Sequence, residues 1–449
     1  MTFHKSKKDI LNGNIPEQIL LFTIPICGSY LLTQLYQFAD SIVLGRFVGV
    51  EAMAAVGGSA NMIINILLNL ISGIATGLMV VVAQNLGRGN HEGVSETVKT
   101  GMFIAVVFGG LISILSAISA KPLLHIMNCP QETITPSSIY MYSYFVGIIP
   151  YTIYTFGVYV LRASGDTKIS LYCTIIIAAV KIILDLLLTA IFNLGVWGVS
   201  ISTVASYLVC GIFVLIILDK TEYSYHYSIK DFGYEKNLLQ QIFKIGFPVA
   251  IQSAVFAITN AYVSVKINLF GTNSIAAFSA YNNVDNFYWS FTNAIGAVII
   301  TIVGQNFGNK NMHRVKQTLK YGIIIHFVAT ILIGVFEFTC ARSIMHIFTT
   351  NEEVINIATA MVQNIAITYS SYILVEMISG TIKGCGDSMN SMIIAFIGVC
   401  GTRVLFLMFF PFTNVYQVLY CYPISWSITS IMYLVYYLSN KKYRLAKDN

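Results

Sequence analysis

Twelve apolar runs follow one another along the chain, at residues 19–45, 52–85, 96–120, 136–161, 169–193, 196–218, 239–270, 275–307, 316–340, 353–382, 389–411 and 415–438. Most reach the ~20 residues an α-helix needs to cross a bilayer. The hydrophobic fraction is 56% and the charged fraction 10%, whereas a soluble globular domain carries about 25% charged residues. The runs therefore predict an all-α polytopic membrane protein with twelve transmembrane helices, whose first obligatory partner is the lipid bilayer. The basic start His4-Lys5-Lys7-Lys8 precedes a run too long for a cleavable leader and lacks a small-residue cleavage site, so the first span is expected to act as its own insertion signal.

The net charge of +6 is informative through its distribution rather than its sum, and it gives no reason to expect a nucleic-acid partner. With the N-terminus inside, Arg46, Lys121 and Arg342 fall in outer segments, Lys181, Lys266 and Arg403 fall within spans, and the other twenty basic residues fall in inner segments. That bias predicts both termini on the cytoplasmic side of a cell (plasma or inner) membrane. The eight cysteines show no CxxC or CxxH spacing and read as small buried hydrophobes. Cys129 and Cys340 fall near the outer face, where a disulfide stays an open alternative.

The chain is internally duplicated. Gln84-Asn85-Leu86-Gly87 recurs as Gln305-Asn306-Phe307-Gly308, and Lys99-Thr100-Gly101 as Lys320-Tyr321-Gly322. Arg162-Ala163-Ser164-Gly165-Asp166-Thr167 recurs as Lys383-Gly384-Cys385-Gly386-Asp387-Ser388. Each copy holds six spans, an even number, so both enter the membrane in the same direction, and a pseudo-two-fold axis along the membrane normal relates them, the parallel-repeat plan of transporters. The expected organisation is an N-terminal six-helix lobe over 1–218, a cytoplasmic linker over 219–237 and a C-terminal six-helix lobe over 238–449. The repeated Gly-Asp inner loops read as tight turns, with a gating contact as the alternative.

Within the first run sits a carboxylate, Asp40. At membrane depth a carboxylate costs several kcal/mol unless it is protonated, paired or facing water, so its default reading is a proton or ion site. Thr33, Gln37 and Asp40 share one helical stripe, with Gln34 and Ser41 beside it, and that polar edge reads as a cavity wall. Asp40 lies about four turns beyond Pro25, toward the outer end of span one. Asp185 lies late in span five and Thr203 early in span six, which puts all three in the outer half of one lobe. Lys181, one turn before Asp185, can pair with it and approach Asp40; that pairing either neutralises two buried charges or takes part in coupling. Pro25, Pro150, Pro248 and Pro423 fall in or near spans, and Pro25 is the candidate hinge.

Several stretches, taken together in both halves, resemble the multidrug and toxic compound extrusion (MATE) family. They are Leu35-Tyr36-Gln37-Phe38-Ala39-Asp40-Ser41-Ile42-Val43-Leu44-Gly45-Arg46, Ala83-Gln84-Asn85-Leu86-Gly87, Gly304-Gln305-Asn306-Phe307-Gly308, Arg162-Ala163-Ser164-Gly165-Asp166 and Tyr422-Pro423-Ile424-Ser425-Trp426. The resemblance implies secondary active efflux of small amphipathic, often cationic compounds by antiport against H⁺ or Na⁺. In the branch with an acidic first helix, Asp40 matches the protonation site, Asp185 its partner and Thr203 a nearby hydroxyl. Lys181 stands where the family commonly has Asn. A fixed ammonium competes with a bound Na⁺, which favours protons as the coupling ion.

The second lobe carries Lys266, Asp285, Glu337, Glu376 and Arg403 in its spans. Lys266 and Glu337 fall near outer ends and read as interfacial. Asp285 lies deep in span eight, where it either lines a cleft, as the resemblance implies, or anchors hydrogen bonds. Glu376 and Arg403 each need a partner or water. The candidate cleft comprises Gln34, Gln37, Tyr151, Asp285, Tyr372, Glu376 and Arg403, with aromatic and Met side chains able to hold flat cations, or simply to pack. No P-loop, metal cluster or nucleophile elbow is present, so neither an enzyme nor a bound cofactor is expected. A monomer is expected. The alternatives are a flippase of lipid-linked saccharides, which would favour a more cationic cleft, and a non-transporting membrane protein.

Overall fold

The computed structural model describes residues 10–49, 56, 58–126, 131–440 and 443. Cys129 and the terminal basic residues Lys5, Lys7, Lys8, Lys441, Lys442, Arg444 and Lys447 lie outside them. Among the described residues there is no strand. The helices are α1 (Ile15–Phe47), α2 (Ser59–Gly87), α3 (His91–Ile126), α4 (Gln131–Val146), α5 (Ile148–Ala163), α6 (Thr167–Asp185), α7 (Val196–Lys220), α8 (Lys236–Asn268), α9 (Thr272–Gly308) and α10 (Met312–Phe348). They continue with α11 (Glu352–Ala366), α12 (Ile373–Gly384), α13 (Ser388–Ala395), α14 (Thr402–Phe409), α15 (Val415–Leu419) and α16 (Cys421–Ser439).

Ten of the helical stretches are long and apolar enough to cross a membrane unbroken, and two bent pairs bring the total to twelve. One pair, α4 with α5, bends by 50°; the other, α11 with α12, bends by 47° across a 3₁₀ turn at Tyr369–Tyr372. The sequence expectation of twelve spans holds, with two of them broken rather than straight. Two more departures from α geometry sit beside charged residues. A π-helical segment, Leu186–Ile191, follows Asp185, and another, Phe396–Gly401, precedes Arg403. Such segments recur at functional positions because they re-aim side chains without ending a helix.

The repeated Gly-Asp loops fold the same way in both halves. Gly165 and Gly386 take φ of 89° and 82°, which glycine alone reaches without strain. Asp166 N–H donates to the Leu161 carbonyl at 2.9 Å and Asp387 N–H to that of Ile382 at 3.1 Å. Each closes a helix C-terminus as a Schellman turn, so the turn reading suffices for the geometry.

Two compact units emerge. One spans Ile24–Ala250; the other comprises residues 10–23 together with the chain from Ile251 onward. The divisions fall inside α1 and α8, beside Pro25 and Pro248, not at the 219–237 linker. In the first unit, α2 meets the start of α8 backbone to backbone: a Cβ at Gly73 would stand 2.3 Å from Ala250 Cα, and one at Gly77 would stand 2.3 Å from the Ile242 carbonyl oxygen. Small residues four apart permit this approach, as in other membrane helix pairs. In the other unit, Arg314 ties α10 to the chain start, donating to the carbonyls of Ile10 at 3.1 Å and Gly13 at 2.9 Å.

Candidate functional site

In the first unit, α1, α6 and α7 bring four of the expected residues to one point. Lys181 is 2% exposed, Asp185 1% and Thr203 4%. Lys181 and Asp185 share a face of α6 because they are one turn apart, and their Nζ–Oδ2 distance is 3.4 Å. Asp40 reaches in from α1, its Oδ2 lying 3.1 Å from the same ammonium. Lys181 also donates to Thr203 Oγ1 at 2.7 Å. The ammonium thus has two carboxylates and one hydroxyl around it.

The carboxylates are not equivalent. Asp185 is ion-paired with Lys181 through one oxygen and accepts from Ser202 at the other. Asp40 accepts from Lys181 at Oδ2, while its Oδ1 is buried with no hydrogen-bond partner. With all three side chains ionised the group carries one uncompensated negative charge, and the orphaned acceptor bears a desolvation cost of about 1–3 kcal/mol or more. A proton on Asp40 removes the uncompensated charge. The Lys181 ammonium stands between the two carboxylates.

Ser202 was not among the sequence candidates; only its adjacency to Thr203 hinted at it. Beside the site Tyr151 belongs to a tyrosine cluster whose members Tyr144 and Tyr207 were missed, although Tyr140 and Tyr144 stand at helical spacing. Tyr144 and Tyr207 share a hydrogen bond of 3.0 Å. The Tyr151 ring packs on Tyr207 at 5.0 Å between centroids, and Tyr154 stacks on it at 6.4 Å. Tyr151 is thus part of an aromatic wall. Gln34 and Gln37 lie on exposed positions of α1.

The second unit assembles its own polar and aromatic groups. Asp285 on α9 accepts from Trp289 Nε1 at 2.7 Å and lies 2.7 Å from the Tyr369 hydroxyl. Glu337 corrects the interfacial expectation: it is 2% exposed, turned inward, with Oε2 2.9 Å from the same hydroxyl. Lys266 lies near the end of α8 with its ammonium 5.5 Å from the Tyr262 ring centre. Glu376 on α12 accepts from Tyr372 at 3.4 Å, in space left by Gly296, where a Cβ would stand 1.8 Å from Glu376 Oε1. Arg403 on α14 does not meet Glu376. It donates to Asn260 Oδ1 at 2.6 Å and lies 4.6 Å from the Tyr422 ring centre. Tyr372, Trp289 and Trp426 pack edge to face, with centroids 4.8 to 5.9 Å apart. Among the described residues no group of His, Cys, Asp and Glu could hold a metal ion.

The MatE family model matches residues 25–187 and 245–409, one match for each half of the duplication. The probable multidrug resistance protein YoeA of Bacillus subtilis is 23% identical over 93% of this chain and 92% of its own length. The probable multidrug resistance protein NorM of Thermotoga maritima is 24% identical over 90% of this chain and 88% of its own. Among solved structures, the outward-facing conformation of a multidrug resistance MATE family transporter of the MOP superfamily superposes with a TM-score of 0.91 at 18% identity, covering 99% of this chain and 100% of that one. A MATE protein in complex with MaL6 gives 0.89 at 19% identity, over 96% of this chain and 98% of that one.

Proposed function

The chain belongs to the MatE family of membrane transporters, and from that premise we propose that it exports small amphipathic or cationic compounds by proton antiport, with Asp40 as the protonation site. Export of several chemically distinct compounds is supported by the names of its relatives. The observation that supports the choice of ion is the Lys181 ammonium held among Asp40, Asp185 and Thr203, a fixed positive charge that competes with Na⁺, beside an Asp40 carboxylate oxygen without a partner.

In this reading a proton from outside neutralises Asp40. The ammonium then no longer has to be shared and turns wholly to Asp185 and Thr203, releasing α1 from α6. The conformation that follows binds the exported compound more weakly at the outer face. Loss of the proton to the inside restores the shared ion pair and the higher affinity. Coupling of this kind needs only that each ligand bind two conformations unequally. Both termini face the cytoplasm of the cell membrane in this scheme, as the basic inner segments favour.

Ethidium efflux from cells or lumen-acid everted vesicles, with ΔpH and a Na⁺ gradient imposed separately, tests the proposal. Wild-type protein is expected to export under ΔpH alone, and Asp40→Asn to lose that export. Efflux driven by Na⁺ alone, or undiminished in Asp40→Asn, would contradict it.

A further inference from the structure

The second unit contains two carboxylates, one half-buried and one buried, with no cation between them. Asp285 on α9 and Glu337 on α10 both point at the hydroxyl of Tyr369, at 2.7 and 2.9 Å. Neither has an ion-pair partner among the described residues. The other groups facing them are Tyr281 and Tyr288 from α9 and Tyr422 from α16, with His326 from α10 and Glu376 from α12 lying behind Tyr288. The nearest buried cation of α14, Arg403, is engaged by Asn260 and the Tyr422 ring.

Counting protons decides what this arrangement holds. Two hydrogen bonds link three oxygens: Asp285 Oδ1, Tyr369 Oη and Glu337 Oε2. A phenol supplies one proton, so the second must come from a carboxylic acid. Asp285 already accepts the Trp289 N–H on Oδ2, which favours its ionised form. Glu337 has nothing on Oε1, an atom buried without a partner in a side chain only 2% exposed. Two ionised carboxylates aimed at one hydroxyl would leave one of them unsatisfied and the two in mutual repulsion. We propose that the second unit carries its own proton-binding site, in which Glu337, Tyr369 and Asp285 hold one shared proton independently of Asp40. The acid proton sits on Glu337 and donates to Tyr369 Oη, and the Tyr369 hydroxyl donates to Asp285. Concerted transfer along the file moves the acid proton to Asp285 with no change in net charge.

A use of this proton in transport rests on the antiport reading above; its presence does not. The two are separated by infrared difference spectroscopy of the full-length protein in lipid, stepped from acidic to alkaline pH, which reads the carbonyl stretch of protonated carboxylic acids directly. Wild-type protein is expected to show a protonated-carboxyl band that Glu337→Gln loses in full and that Asp40→Asn retains. Tyr369→Phe keeps the ring and removes the bridging hydroxyl, so it must shift the same band, and it serves if Glu337→Gln does not fold. A wild-type spectrum without such a band, or one unchanged by both second-unit substitutions, overturns the proposal. So does a band abolished by Na⁺ at constant pH, which would make this a metal-cation site. An Asp40→Asn protein that still exports under ΔpH while keeping the Glu337 band would sink the antiport scheme and leave this site standing.

Discussion

Lys181 is the residue on which the first unit's polar site depends, because one ammonium satisfies two carboxylates and a hydroxyl. Removing one partner from a buried charge pair costs roughly 3–5 kcal/mol, mostly because the other charge is left uncompensated. Lys181→Met is therefore expected to lower the midpoint of thermal unfolding in detergent, and adding Asp185→Asn to recover most of the loss. If Lys181→Met unfolds no earlier than wild type, the carboxylates are compensated by something other than Lys181. The Lys181–Asp185 pair was legible from spacing alone, since four residues on a helix put two side chains side by side. Asp40 stood out as a carboxylate in an apolar run, but its meeting with a residue 141 positions away rested on span counting and family resemblance. Ser202 was illegible because a serine in a transmembrane helix usually bonds its own backbone, as Ser202 also does at the Val199 carbonyl.

At the scale of elements, the misplacement of Glu337 has a geometric cause. Reading depth from the end of an apolar run assumes a straight helix that stops at the membrane surface. The α10 helix has 37 residues, about 55 Å at the usual rise, so its end says little about where the bilayer stops. Its partner Tyr369 lies on the 3₁₀ turn between α11 and α12, a break hidden inside one continuous apolar run. The bend turns Tyr369 to face both carboxylates. The sequence also gave no warning of the contact between α2 and α8, whose glycines look like any others in an apolar run. A Cβ at Gly73 would approach Ala250 Cα within 2.3 Å, and backbone on both sides cannot yield as a flexible side chain would. Gly73→Ala is expected to destabilise by about 1–3 kcal/mol or more, the usual range for overpacking, read as an earlier melt. A Gly73→Ala protein as stable as wild type would mean that the two helices do not pack this closely.

For the whole molecule, the duplication was readable because its repeated turns, Gly165-Asp166 and Gly386-Asp387, keep the same hydrogen-bond pattern. Where the chain divides was not. The units cut α1 beside Pro25 and α8 beside Pro248, and no composition shift marks those places. The repeats have also diverged in their charges: the first unit holds two carboxylates around a lysine, the second two carboxylates around a tyrosine. The central claim is that the transporter exchanges its substrate for a proton bound at Asp40. The most direct check is to add ethidium to the purified protein in weakly buffered solution and measure the protons released. Wild type is expected to release protons in a saturable, substrate-dependent manner, and Asp40→Asn to bind ethidium while losing that release. Equal release from Asp40→Asn, or none from wild type as ethidium binds, would contradict the account.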